Sequence, residues 1–143
     1  MKKARFFIAM LLVFSTLLTL PAVAEVDAEP RSSKFYSAVD AYVMRAGKGK
    51  AIVSFQVTGT HKMNLIGVND ISVYDSSTGK SVKHIYYTDS GYSSMMSKNL
   101  TTYANDITIS LPSGKTYYMY VYFYVKDDYG ASTKPFKTAK VTV

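Results

Sequence analysis

The run Thr116–Val125, TYYMYVYFYV, constrains the fold of this chain more than any other stretch. On an extended strand successive side chains alternate between faces, so Tyr117, Met119, Val121, Phe123 and Val125 share one face and Tyr118, Tyr120, Tyr122 and Tyr124 share the other. The first set reads as core. The second lines an outer sheet face with four tyrosines, and what that face is for becomes the functional question.

The same period-two alternation recurs in short runs broken by Gly, Asn, Asp and Ser, the pattern of antiparallel β structure. Val39, Ala41 and Val43 face inward from a first strand, and Ala51, Val53, Phe55 and Val57 do so from a second, with RAGKGK turning between them. Met63–Ile66 reads as a short one-turn segment, Ile71 and Val73 as the next inward pair, and Val82–Tyr87 as a hairpin partner across SSTGK. Thr88–Thr102 is polar and weakly patterned, a loop with one edge strand around Met95. Ile107, Ile109 and Leu111 mark a further strand, PSGK turns into the tyrosine strand, and KDDYGASTKP leads to a last strand carrying Ala139, Val141 and Val143. About seven strands with turns roughly every ten residues predict a two-layer antiparallel sandwich.

The first residues bear on compartment. Lys2, Lys3 and Arg5 precede the apolar run Phe6–Leu20, and Ala22-Val23-Ala24 has the small-x-small spacing of a signal-peptidase site. The run is shorter than the ~20 apolar residues of a spanning helix, and Glu25, Asp27 and Glu29 follow it, so residues 1–24 read as a cleaved signal rather than an anchor. Residues 25–34, polar and containing Pro30, read as a flexible leader, and residues 35–143 as the β domain. Of 17 basic residues three leave with the signal while all 10 acidic ones remain, so the net charge of +7 becomes +4. The lysines are scattered singly or in pairs, which does not make a nucleic-acid track. Without cysteine, disulfides, thiolate metal sites and lipid anchoring through cysteine are excluded.

Two resemblances follow from particular residues. Leu111, Gly114 and Tyr117, followed by alternate apolar residues from Met119, resemble the turn and penultimate strand of fibronectin type III domains. That resemblance implies a tyrosine corner in which the Tyr117 hydroxyl bonds back to nearby backbone. Phe55 stands where such domains usually carry tryptophan, so a related immunoglobulin-like sandwich fits equally. Over most of the mature chain, the order EPRSS, VTGT, IGVNDISV and the tyrosine strand is similar to small secreted proteins of Gram-positive bacteria grouped as a family of unknown function. Such a match implies a signal peptide and one β domain and carries no site residue.

Material for catalysis is thin. His61 and His84 are the only histidines, no nucleophile-elbow or zincin motif accompanies them, and both read as surface residues. Asp127 and Asp128, with Asp75 or Asp106, are conceivable calcium ligands, but without a calcium-loop pattern Asp127–Gly130 reads as an ordinary inter-strand turn. No enzyme, metal or cofactor is expected. The candidate binding surface is Tyr118, Tyr120, Tyr122 and Tyr124, flanked by the strand ending at Asp75, with Ser72 and Tyr74, and by the final strand, with Thr138, Lys140 and Thr142. Tyrosine gives a stiff contact at low entropy cost, so the expectation is an extracellular interaction module that binds a protein or glycan through this face or the end loops, with a self-associating structural protein as the alternative. An exported form should begin at Glu25, and N-terminal sequencing checks this: a start before residue 20, or retention in membranes, contradicts the signal assignment.

Overall fold

The computed structural model describes residues 34–143; the expected signal segment and all but the last residue of the expected leader lie outside the described residues. Nine strands follow in order: β1 (Tyr36–Gly47), β2 (Lys50–Met63), β3 (Leu65–Asp75), β4 (Ser81–Tyr86), β5 (Met96–Ser97), β6 (Leu100–Ser110), β7 (Thr116–Asp127), β8 (Gly130–Lys137) and β9 (Val141–Thr142). Two antiparallel sheets result, one ordered β1-β2-β6 and the other β4-β3-β7-β8, with β5 against β3 and β9 against β7. Seven strands are six residues or longer, and together they form the two-layer antiparallel sandwich that the alternation predicts, of the immunoglobulin-like, fibronectin type III-like kind that the resemblance implies.

The inward faces meet as anticipated. Ala51, Val53, Phe55 and Val57 from β2 and Tyr117, Met119, Val121, Phe123 and Val125 from β7 are buried, with Phe55 set edge-on to Phe123 at 6.4 Å. Val39 and Val43 pack against this core from β1. Tyr36, at the head of β1, is a buried residue that the period-two reading passed over. Its hydroxyl reaches the carbonyls of Phe123 (2.9 Å) and Ser132, tying one sheet to the other, and burial pushes its phenol well above the ordinary range despite the opposing hydrogen bonds.

β3 solves a phase problem written in IGVNDISV. Ile66 and Val68 occupy even positions and Ile71 and Val73 odd ones, yet all four are fully buried. A register shift between Val68 and Asp70 makes Asn69 the extra residue of a bulge, and the inward set changes parity there. Asp70 is thereby aimed outward, opposite Tyr122.

Several boundaries differ from the sequence reading. Met63–Ile66 is not a helical turn: β2 continues to Met63 and β3 begins at Leu65, with only Asn64 between them. Within Thr88–Thr102, Ser93–Met95 forms one 3-10 turn, and the edge pairing is β5 on Ile66 and Gly67. A Cβ on Gly67 would lie 2.2 Å from the Met95 carbonyl oxygen, so the close approach requires glycine. β6 starts at Leu100 because its polar residues pair with β2 rather than with solvent. KDDYGASTKP is a tight hairpin plus most of β8, not a connection, since Asp127 already pairs with Gly130. Ala139 is exposed and lies outside any strand; Thr138 is buried in that segment instead.

The corner expected at Tyr117 is present: its hydroxyl donates to the Pro112 carbonyl at 2.8 Å, and Gly114 takes the positive φ of 78° that the intervening turn needs. Tyr117→Phe should cost about 1 to 3 kcal/mol, because the Pro112 carbonyl loses its buried donor. Tyr120→Phe on the outer face should cost well under ~1 kcal/mol. Urea unfolding of the two variants checks this, and equal losses would contradict the assignment of the faces.

Candidate functional site

The outer face of the six-stranded sheet is laid out by register. Across β4, β3, β7 and β8 one row reads Tyr86, Asp70, Tyr122, Pro135, and the next His84, Ser72, Tyr120, Lys137. Tyr74 and Tyr118 form a third row, while Tyr124 stands opposite Gly67 and Thr133. The four β7 tyrosines are thus aligned on one face, each half-buried.

Their rings pack on one another. Tyr74 and Tyr118 stack at 5.3 Å with planes 8° apart, and Tyr120 meets Tyr74 edge-on at 5.7 Å and Tyr118 at 6.2 Å. Tyr122 follows at 6.5 Å from Tyr120. The Lys137 ammonium lies 4.6 Å from the Tyr118 ring centre and 5.9 Å from that of Tyr120, a contact worth about 0.5 to 1 kcal/mol at an exposed site. Tyr118 therefore has a ring stacked against it and a cation over it, and the row presents edges and hydroxyls more than open ring faces. Partial burial raises the Tyr122 phenol above its ordinary value, with Tyr74, Asp70 and Tyr120 adding to the effect, so this hydroxyl remains a donor near neutrality.

β4 extends the face in a way the sequence did not reveal. His84 stacks on Tyr86 at 4.6 Å, and its Nε2 lies 3.0 Å from Asp70 and 3.2 Å from the Ser72 hydroxyl. A serine, a histidine and an aspartate meet here, but the carboxylate and the hydroxyl both approach Nε2 most closely. A hydrolase triad has its nucleophile and its orienting carboxylate on opposite ring nitrogens; here the hydroxyl comes within 3.5 Å of Nδ1, but its nearer approach is to the nitrogen that the carboxylate meets. The signal was the hairpin register, which places His84 opposite Ser72 once the hairpin takes its own shift between Val73 and Tyr74.

On the other flank the chain departs from expectation. β8, not the C-terminal segment, lies along the tyrosines, and the cation on the row is Lys137 rather than Lys140. Lys140 lines an open depression of about 430 Å³ near the corner with Asp75, Lys115 and Thr116. Thr138 is buried, and its hydroxyl accepts from the Met119 N–H at 3.1 Å and donates to the Ala139 carbonyl, filling the gap where the ladder breaks. Thr142 does sit beside β7, its hydroxyl 2.7 Å from that of Thr116.

Two of the carboxylates considered for calcium, Asp127 and Asp75, are spoken for by turns. Asp127 accepts from the N–H groups of Tyr129 (2.7 Å) and Gly130 (2.9 Å) and meets His61 Nε2 at 2.8 Å; Asp75 accepts from the Ser77 N–H and hydroxyl and faces Lys115 at 3.5 Å. They lie at opposite ends of the β3–β7 ladder, about 30 Å apart at the rise of a strand, so they cannot converge on one ion. At Asp127 burial opposes ionisation, but the hydrogen bonds from Tyr129, His61 and Gly130 outweigh it and hold the carboxyl below the ordinary range. Asp75 is lowered by its bonds from Ser77, against some desolvation, with Lys115 assisting.

No family model matches the chain, and no curated protein matches it. Among solved structures, a family 76 glycoside hydrolase from a bovine Bacteroides thetaiotaomicron strain aligns over 76% of this chain with a TM-score of 0.42 and 12% identity. The chain spans about a fifth of that protein's length, 20%.

Asp75 and Asp127, both lowered in the fold, contribute stability that is present above the unfolded aspartate value of about 3.9 and is lost as pH falls through the lower folded values. The urea midpoint should hold from about pH 7 to 5 and drop below about pH 4, and the drop should shrink in Asp75→Asn/Asp127→Asn. A wild-type midpoint independent of pH down to about 3 would contradict the arrangement.

Proposed function

We propose that this chain is a secreted, non-catalytic interaction module whose contact surface is the aromatic face of the six-stranded sheet. The observation that carries the reading is the outward row Tyr118, Tyr120, Tyr122 and Tyr124, extended across strands by Tyr74, His84 and Tyr86 and edged by Lys137. A row of aromatic side chains continuous across strands is the kind of surface that anchors interfaces. Between a protein and a glycan partner, ring orientation favours the protein. Sugar stacking needs open ring faces, whereas Tyr74 and Tyr118 face each other and Lys137 lies over Tyr118. Edges and hydroxyls suit a flat, partly wet protein contact. The signal-like first 24 residues support an extracellular setting.

A second reading, self-association, rests on the three-stranded sheet. β1 and β6 are its edges, 12 and 11 residues long, and neither contains proline or lysine, residues that commonly blunt an edge. β8 does carry such residues, Lys134, Pro135 and Lys137.

Tyr120→Ser/Tyr122→Ser should keep the fold and lose attachment in a binding screen against intact cells, extracellular proteins and glycans. Unchanged binding by that variant, with loss on changing residues 127–132, would move the site to the end of the sandwich. Light scattering across a concentration series tests the second reading: growth in mass that persists in the double variant favours edge pairing over the aromatic face.

A further inference from the structure

The outer face of the three-stranded sheet carries a separate polar site. Register sets Asp40, Gln56 and Ala104 in one row across β1, β2 and β6, and Tyr42, Ser54 and Asp106 in the next. The small side chains of Ser54 and Ala104 lie among larger ones, and the six residues line a depression of about 170 Å³. That is below the ~300 Å³ at which drug-sized pockets begin, so it suits one compact group.

Ser54 is only 6% exposed, yet its hydroxyl has no hydrogen-bond partner among the described residues. That oxygen keeps access to solvent and opens into the depression, so it is free to bond a ligand placed there. Asp40 and Asp106 are likewise without a cation: the ion pairs among the described residues engage Asp127, Asp70 and Asp75. No lysine or arginine lines the depression. Tyr42, 54% exposed, supplies an aromatic wall. The lining thus combines two anions, an aromatic ring and neutral acceptors in an acidic island on a chain of net charge +7.

We propose that this depression binds a guanidinium or primary ammonium group. Asp40 and Asp106 supply the countercharge and accept charge-assisted hydrogen bonds. Tyr42 offers its ring to the cation, and the Ser54 hydroxyl and the Gln56 side-chain carbonyl accept further N–H donors. A neutral polyol would satisfy the hydroxyl but leave both carboxylates without a counter-ion. The site lies on the opposite sheet from the aromatic face and stands or falls independently of it.

The test is titration of the full chain with ethylguanidinium and ethylammonium chloride, followed by backbone amide NMR, with sodium chloride at equal ionic strength and methyl glucoside as controls. Saturable shifts centred on residues 40–42, 54–56 and 104–106 are expected from at least one cation. Affinity should fall about tenfold or more in Asp40→Asn/Asp106→Asn, the scale of lost charge-assisted bonds, and about two- to tenfold in Ser54→Ala. Dispersed amide spectra confirm that each variant is folded. A blocked tripeptide with central arginine distinguishes sources: tighter binding than ethylguanidinium identifies a basic side chain of a polypeptide, and equal binding a free small cation. Shifts spread evenly over all carboxylates, shifts unchanged in the Asn variant, or localised shifts from methyl glucoside alone would overturn the proposal.

Discussion

One face of β7 must be wholly apolar for the rest of the molecule to assemble, and much of the structure follows from meeting that requirement. β7 pairs with β3 on one side and with β8 and β9 on the other, so its inward residues sit in the middle of their sheet and against β2 across the core. A one-residue slip would bury the outer tyrosines and expose Met119, Val121 and Phe123. Two contacts guard against it. The Tyr117 hydroxyl fixes the start of the strand to Pro112, and the Asp127 carboxylate fixes its end by closing the turn into β8. Tyr36 adds a clamp from the opposite sheet onto the β7 and β8 backbones.

What could be read from the sequence follows the same logic. Strands β2 and β7 declared themselves because each keeps one parity over its inward run, and the corner declared itself through Leu111, Gly114 and Tyr117. β3 was legible only in its second half, because the Asn69 bulge changes parity and a fixed period loses Ile66 and Val68. β8 was hidden for a different reason. As an edge strand carrying Pro135 and two lysines it has little inward surface beyond Phe136, which sits edge-on to Phe123 at 6.3 Å. Its composition therefore resembles a loop. The candidate face is affected by the same omission: the four tyrosines do share one outer face, but on one flank the neighbouring strand is β8 rather than the C-terminal segment, so Lys137 and not Lys140 lies over them. His84 needed the register of two strands before it could join the row.

The two outer faces are chemically unlike. The six-stranded sheet offers packed tyrosines with a lysine over them, while the three-stranded sheet has a small acidic hollow floored by serine. Both arise from cross-strand placement rather than from loops. Positions on paired strands are held by hydrogen bonds on either side, which fixes the spacing of side chains more tightly than an exposed loop does. The end loops are occupied instead with structural work: the turns at Asp75 and Asp127 spend their carboxylates on backbone N–H groups.

The stacked pair of Tyr74 and Tyr118 also gives the molecule an optical signature. The chain contains no tryptophan and 13 tyrosines, so its near-ultraviolet absorption, circular dichroism and intrinsic emission come almost entirely from phenol rings. Rings stacked 5.3 Å apart in nearly parallel planes couple their transitions, and this coupled set lies on the outer face and not in the core. A molecule settling on that face changes the chromophores directly, while the buried Tyr117 and Tyr36 report on the integrity of the fold. Surface events and core events can thus be followed in the unlabelled protein.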